Sequence, residues 1–516
     1  MPESTIKQGS LLLTSGLDLS RPAEYISAQS ASMTQNFSID RAILSKRYGT
    51  TARGSVIAGT NKEIMGGREI TIEGVKYNIR ISRDTVERWY SGTSAWVDIT
   101  GTALNGTSDD LIDTAVPLLS GNQCLIISNG VDALRKWVGT ENTAALGGTP
   151  PIAKFVQEYK TYLVCANIGG GVDIDQRVQW SDTADPEEWS SGNAGAVDLV
   201  EDGEPITGMN VFGDYICVHK KTSIYLGYLV SSTAIFRFDR KSTEVGSVAN
   251  GSIVNLPTGQ QVFLGVDGIH IFNGVTAPLI PSPVNDEIRD GLNKEYAHKA
   301  WGVLVQEEDE VWIGVPIGDQ TRGETVYKYN YITGACFKDV RAGINAVWSA
   351  SSSAGLTWDS FPDTVTWDDV SDRWDSGQLG TLAAELHFGY YTGLTTIQSI
   401  SANGDNGGSI PCVWASKEFE NEEKGRMCRW SEIHVYARGS GTLTVEYSTD
   451  GGVTWNEASS SPLTLSTYFP SDYEPQVVYL DVVSSRLMVR FRNDTSTDVV
   501  EIKQFYVGYL NRELRR

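Results

Sequence analysis

Positive charge is in short supply in this chain of 516 residues. Its 42 lysines and arginines stand against 64 aspartates and glutamates, a net charge of −22. A protein that wraps nucleic acid needs a basic surface to displace counterions, so this balance argues against a nucleic-acid clamp. Histidine is scarcer still. His219, His270, His298, His387 and His434 are scattered and make no H-E-x-x-H or Cys/His cluster. His270, in "GIHIF", reads as a strand residue. The six cysteines (Cys124, Cys165, Cys217, Cys336, Cys412 and Cys428) contain no CxxC pair, and most sit in apolar runs such as "QCLIIS", "YLVCAN" and "YICVH". They read as buried thiols of a chain folded in a reducing compartment. No stretch approaches the roughly 18 apolar residues of a membrane span. The start, "MPESTIKQGSLLL", has no basic segment followed by a long apolar core, so no signal peptide is expected. A Walker-type lysine loop, a GxSxG elbow and a D-x-D-x-D-G calcium loop are also absent. "NIGGGVD" (167–173) precedes a strand-like segment, so it reads as a hairpin turn and not a phosphate loop. Neither a cofactor nor a metal is expected.

Helical patterning is sparse too. The best candidate is "NDEIRDGLNKEYAHKAW" (285–301), where Ile288, Leu292 and Tyr296 recur every four residues, Asn285 is a candidate cap and Gly291 a weak point. What the chain has instead is glycine (52 residues), aromatics (14 Trp, 22 Tyr, 14 Phe) and short β-rich runs between turn residues. A strand–turn–strand unit recurs at 75–90, 122–137, 159–180, 213–229, 260–274, 310–331 and 384–399. Most copies begin roughly 40–50 residues after the one before, the spacing of four-stranded propeller blades. Apolar and polar residues alternate within each, and Asp267-Gly268 reads as a tight type I′ hairpin turn. One hairpin cannot bury its own face, whereas blades stacked around an axis can.

The expected architecture is all-β: a propeller of six to eight blades over 51–405, after an N-terminal extended arm (1–50) and before a C-terminal β-sandwich (406–516). The sandwich reading rests on strands such as "EIHVYARGSGTLTVEYS" and "RLMVRFRN".

Two motifs invite a chemical reading. "STDGGVTW" (448–455) matches the Asp-box turn of sialidases and other propeller glycosidases through Ser448, Asp450, Gly452 and Trp455. The Asp can bond the turn's own N–H groups, the Gly supplies positive φ and the Trp packs beneath. None of that is catalytic, and the box occurs in full once; an echo at Ser82-x-Asp84 with Trp89 lacks the Gly. It reads as a structural turn. No motif selects a pair of carboxylates for glycoside cleavage. The second motif, within 357–375, repeats a Trp-Asp pair at Trp358, Trp367 and Trp374. These tryptophans are candidate interface residues. Arg512, Arg515 and Arg516 read as a solvated tail.

The chain resembles the β-propeller tail nozzle or tail-hub (stabilisation) proteins of short-tailed bacteriophages. The resemblance lies in "GLDLSRPAEYISAQSASMTQNFSIDRAILSKRYGT", where an Asn-containing polar segment leads into Arg-x-Gly, and in "RVQWSDTADPEEW" (177–189). It continues in "QVFLGVDGIHIFNG" and "VYKYNYITGACF", although Phe337 stands where Trp is expected. The resemblance implies a structural virion protein and not an enzyme. It would be made in the host cytoplasm and would form a homo-oligomeric, commonly hexameric, ring. The ring would dock to adaptor and other tail proteins and enclose the channel through which DNA is ejected. An acidic lumen would repel the phosphates, so DNA would pass without specific binding. Two other classes compete: a glycan-binding host-receptor protein with exposed aromatics stacking on sugars, and a propeller glycosidase.

Overall fold

The computed structural model describes residues 6–8, 16–19, 21–40, 43–169, 174–230, 235–282, 284–351, 384–420, 425–470 and 475–511. Seven small antiparallel sheets follow one another along the chain. Four-stranded sheets lie within 64–98, 113–145, 153–198, 206–242 and 301–340, and a three-stranded sheet within 254–272. The seventh joins Ile344–Ser351, Ala384–Tyr390 and Thr395–Ser399 to Gly49–Ala52 from near the N-terminus. Ile344–Ser351 also lies against Ile64–Ile72, so the last blade meets the first. The result is a seven-bladed β-propeller, within the expected six to eight.

Each recurring hairpin of the sequence lies in one blade, six of them as its middle pair of strands and that at 260–274 as the middle and an edge strand of the three-stranded sheet. Alternation is weaker there than expected, for a physical reason. A blade is a layer between two neighbours, so its middle strands bury both faces and become continuous apolar runs. All seven residues of Tyr162–Ile168 and all six of Glu310–Val315 are buried. All six cysteines are buried and free: Cys165 and Cys217 lie in such middle strands, Cys124 just before one, Cys336 in the outer strand of blade six, and Cys412 and Cys428 in strands outside the propeller. Burial pushes their thiols up, to about 12 at Cys124, Cys336 and Cys412. The seam between blades seven and one is polar as well as apolar. Trp348 donates its indole N–H to Asn78 at 2.9 Å, and the Asn78 amide meets His387 at 2.9 Å.

Two local expectations are corrected. The helix spans only Val284–Gly291, and Asn285 lies inside it instead of capping it. The Asn285 side chain accepts the Ile269 N–H at 3.0 Å and donates to Ile280 O at 2.9 Å, fastening the helix to the Ile269–Phe272 strand. The turn before that strand closes through Gly265 N–H to Gly268 O, and only Gly268 of the Asp267-Gly268 pair has positive φ, so it is not type I′.

Beyond the propeller, two sheets pack face to face. One runs Gln476–Ser484, Cys428–Ser440, Val499–Asn511, Ile43–Lys46, Phe37–Asp40; the other runs Met33–Gln35, Ile410–Ala415, Arg486–Thr495, Thr442–Ser448, Asn456–Glu457. Trp414, Phe419, Phe491 and Phe505 fill the space between them. The N-terminal segment is extended, and its strands Ile6–Gln8, Met33–Gln35, Phe37–Asp40 and Ile43–Lys46 belong to this sandwich. The sandwich is therefore built from both ends of the chain, which patterning over 406–516 alone does not reveal.

The junction between the two bodies is made by Asn36, Arg47 and Gly49. Asn36, fully buried with φ 58, takes part in bonds with Lys338 O and the Val340 N–H on blade six and with Pro411 O in the sandwich. Arg47 donates Nε to Asn36 Oδ1 at 2.9 Å and grips Asp405 with both terminal nitrogens at 2.9 and 2.5 Å. A Cβ on Gly49 would stand 2.1 Å from Gly404 O, so only glycine fits where the blade-closing strand meets the linker to the sandwich. Removing one partner of a buried ion pair leaves the other uncompensated. Arg47→Met is therefore expected to destabilise the protein by about 3–5 kcal/mol, read as a fall in the urea midpoint. An unchanged midpoint would remove this role from Arg47.

Candidate functional site

The Asp box lies in the sandwich, in the hairpin between Thr442–Ser448 and Asn456–Glu457. Ser448 Oγ donates to Asp450 Oδ1 at 2.7 Å and accepts the Gly452 N–H at 2.9 Å. Asp450 accepts the Thr454 N–H at 2.9 Å and its hydroxyl at 2.5 Å. Gly451 and Gly452 have φ of 74° and 87°. The Trp455 indole donates to Gly452 O at 2.9 Å, and the Arg490 guanidinium lies 4.3 Å above its ring. These four residues shape a turn. The Thr454 hydroxyl and N–H, with Ser448, hold the Asp450 carboxyl down at about 2. The echo at Ser82 makes a related but looser turn, with Ser82 Oγ 3.3 Å from Asp84 Oδ1. His270 is a buried strand residue whose ring nitrogens meet Asp267 Oδ1 and Ala277 O, both at 2.8 Å. Trp358, Trp367 and Trp374, the Arg512, Arg515 and Arg516 tail, and glycines 170 and 171 of "NIGGGVD" lie outside the described residues. Among the described residues no cluster of His, Cys, Asp or Glu is arranged to hold a metal.

The strongest concentration of chemistry is a cavity of about 760 Å³ at the junction. Blade six supplies Glu310, Trp312, Lys328 and Arg341; the N-terminal hairpin supplies Lys46 and Arg47. Behind this wall lies Asp339, wholly buried, with Lys328 Nζ at 2.9 Å, Arg341 Nη2 at 3.5 Å and Arg47 Nε at 3.9 Å. Burial alone would raise the Asp339 carboxyl, but the charges of Lys328, Arg341 and Arg47 together hold it below its usual value. Arg341 lies against the rings of Trp312 and Phe388, at 5.1 and 4.8 Å. Burial and the neighbouring Arg47 charge lower it to about 10. Glu310 is a further acid of this network, where the Lys328 charge opposes the rise that burial imposes on its carboxyl. Its Oε2 accepts the Trp312 N–H at 2.8 Å, and burial raises its carboxyl to about 7.

Sequence reasoning did not find this cluster. Arg47-x-Gly49 was visible only as part of a resemblance. The other signal was charge inside short strands: Lys328 in the otherwise uncharged "TVYKYN", and Asp339 in "CFKDV".

No protein-family model matches the chain, and no curated protein matches it. Solved structures to which it is similar include BamB from Moraxella catarrhalis, 11% identical, covering 71% of this chain and 94% of that one with a TM-score of 0.37. They also include an exo-β-1,3-galactanase from Phanerochaete chrysosporium bound to galactose, 10% identical, covering 89% of this chain and 100% of that one with a TM-score of 0.26. The expectation that the chain is not an enzyme is corrected on this point. A glycosidase stands among the structures similar to it, so inactivity is not retained as a property of the chain.

Two predictions follow from these charges. Glu310 ionises near 4.5 in an unfolded chain and near 7 in the folded one, so it costs stability as pH rises through that window. Glu310→Gln is expected to leave the melting temperature nearly unchanged at pH 4.5 and to stabilise the protein at pH 8, by on the order of 2 kcal/mol. Calorimetry at the two pH values checks the sign. Asp450 is the opposite case: its folded value is depressed, so its contribution is present at neutral pH and fades as pH falls towards 2. Asp450→Ala is expected to lower the melting temperature at pH 7 and to have a shrinking effect on acidification.

Proposed function

We propose that this chain is a structural protein of a short-tailed phage virion, a subunit of the oligomeric ring of the tail nozzle or hub. The observation that carries the reading is the junction. The segment through which the chain resembles tail nozzle proteins, with Asn36 and Arg47-x-Gly49, is the segment that bonds propeller and sandwich together. A subunit that passes load along a tail needs that kind of internal fastening.

Ring closure requires side-to-side contacts related by rotation. The described surface offers exposed apolar groups for them, including Ile400 beside the junction and Val453 and Tyr468 on the sandwich. In this reading the acidic chains surround a lumen that repels phosphate, and DNA slides through without being held. Adaptor and other tail proteins lie above and below.

The purified chain is expected to run in native mass spectrometry as a species of about six times its 56.3 kDa. It is also expected to retain no duplex DNA in a gel-shift assay at physiological salt. A monomer that persists at high concentration would sink the ring. Specific capture on a glycan array by such a monomer would favour the host-receptor reading instead.

A further inference from the structure

A buried lysine is normally answered by a carboxylate. Lys46 is answered by an amide. It ends the Ile43–Lys46 strand of one sheet of the sandwich, and Asn493 lies in the Arg486–Thr495 strand of the other. The two residues are 8% and 3% exposed. Lys46 Nζ donates to Asn493 Oδ1 at 3.1 Å and to Thr495 O at 2.6 Å, both neutral oxygens. The Asn493 amide nitrogen donates to Thr442 O at 2.8 Å and to Asp498 Oδ2 at 3.0 Å. The Thr495 hydroxyl donates to Asn493 Oδ1 at 3.2 Å. An amine, a carboxamide and a carboxylate thus stand in a row, each bonded to the next. Burial pushes the Lys46 amine down, towards the neutral form that acts as a nucleophile. Burial alone would raise the Asp498 carboxyl, but the Thr442 N–H and the Asn493 amide hold it below its usual value, so it stands ionised and can take a proton.

We propose that Lys46 and Asn493 join in an amide bond that the chain forms by itself, with Asp498 carrying the proton. Nζ, once neutral, attacks Asn493 Cγ, the carbon bonded to the oxygen it already faces. The oxygen of the tetrahedral intermediate gathers negative charge beside the Thr495 hydroxyl. Asp498 takes the proton that Nζ sheds and hands it to Nδ2. The Cγ–Nδ2 bond breaks, the Cγ–Nζ bond stays, and ammonia leaves. No oxidant or cofactor is consumed, and Asp498 ends as it began. Lys46 and Asp498 both line the junction cavity, which gives the ammonia a way out. The bond ties residue 46 to residue 493 across the two sheets, so the covalent loop encloses the whole propeller. A cross-link that closes so long a loop restricts the unfolded chain strongly.

The test weighs the purified, folded chain by intact mass spectrometry under denaturing conditions. The expected result is a mass below that of the sequence by one ammonia, about 17 Da, and, after trypsin, a branched peptide joining Lys46 to Asn493. Lys46→Arg, which keeps the charge but not the nucleophile, is expected to stay at its full mass, as are Asn493→Ala and Asp498→Asn. Should a variant fail to fold, the branched peptide of the wild-type chain decides alone. A wild-type chain still at full mass after prolonged incubation would overturn the bond. So would ammonia lost without a 46–493 branched peptide, the mark of ring closure at an Asn-Gly step such as 105–106. A folded Asp498→Asn variant that forms the branched peptide as fully as wild type would overturn the mechanism.

Discussion

A guanidinium taken out of water must be answered, and at Arg47 the answer fastens the molecule together. Its partners come from the N-terminal segment (Asn36), from the linker after the seventh blade (Asp405) and, through the shared carboxylate Asp339, from blade six. Burial works against the Arg47 charge, but the Asp405 carboxylate outweighs it and raises the group above its ordinary value. The chain then needs only two more residues to reach Gly49, where the strand that seals the propeller begins. Closing the ring and docking the sandwich are thus consequences of one anchored segment.

An apolar seam in the same place would also hold the two bodies, and buried ion pairs are often no more stabilising than well-packed side chains. What the charged seam adds is register. An apolar surface tolerates sliding by an ångström or two, whereas a fork gripping a carboxylate at 2.9 and 2.5 Å does not. Gly49 adds a steric condition, because the linker backbone occupies the space any side chain would need. The junction therefore fixes where the propeller sits relative to the sandwich.

The fold was legible where residues act through their neighbours in sequence. Every middle hairpin of a blade announced itself, because two adjacent strands that bury both faces concentrate Val, Ile and aromatics between glycine turns. The Asp box was equally readable, since its bonds span only 448–455. What could not be read depends on distant partners. Nothing near residues 33–46 says that these strands pair with 410–415 and 499–511, because the pairing is settled by residues hundreds of positions away. Asn285 looked like a helix cap because caps are local, but its actual bonds reach back to Ile280 and Ile269. The junction cluster was hidden for the same reason. A lone Lys328 or Asp339 in an apolar strand looks like an error of patterning until the other is placed beside it.

Burial also changes what the net charge means. Among the described residues seven bases are buried (Lys46, Arg47, Arg80, Lys220, Lys299, Lys328 and Arg341) against five acids (Glu310, Asp339, Glu418, Glu446 and Asp498). Among the described residues the interior thus holds more positive than negative charge, so burial makes their solvent-facing surface more acidic than their composition alone implies. Buried cations cannot meet a phosphate backbone passing outside, and the exposed carboxylates can. The same sequestering that makes Arg47 a fastener therefore removes from the exterior bases that would hold a polyanion.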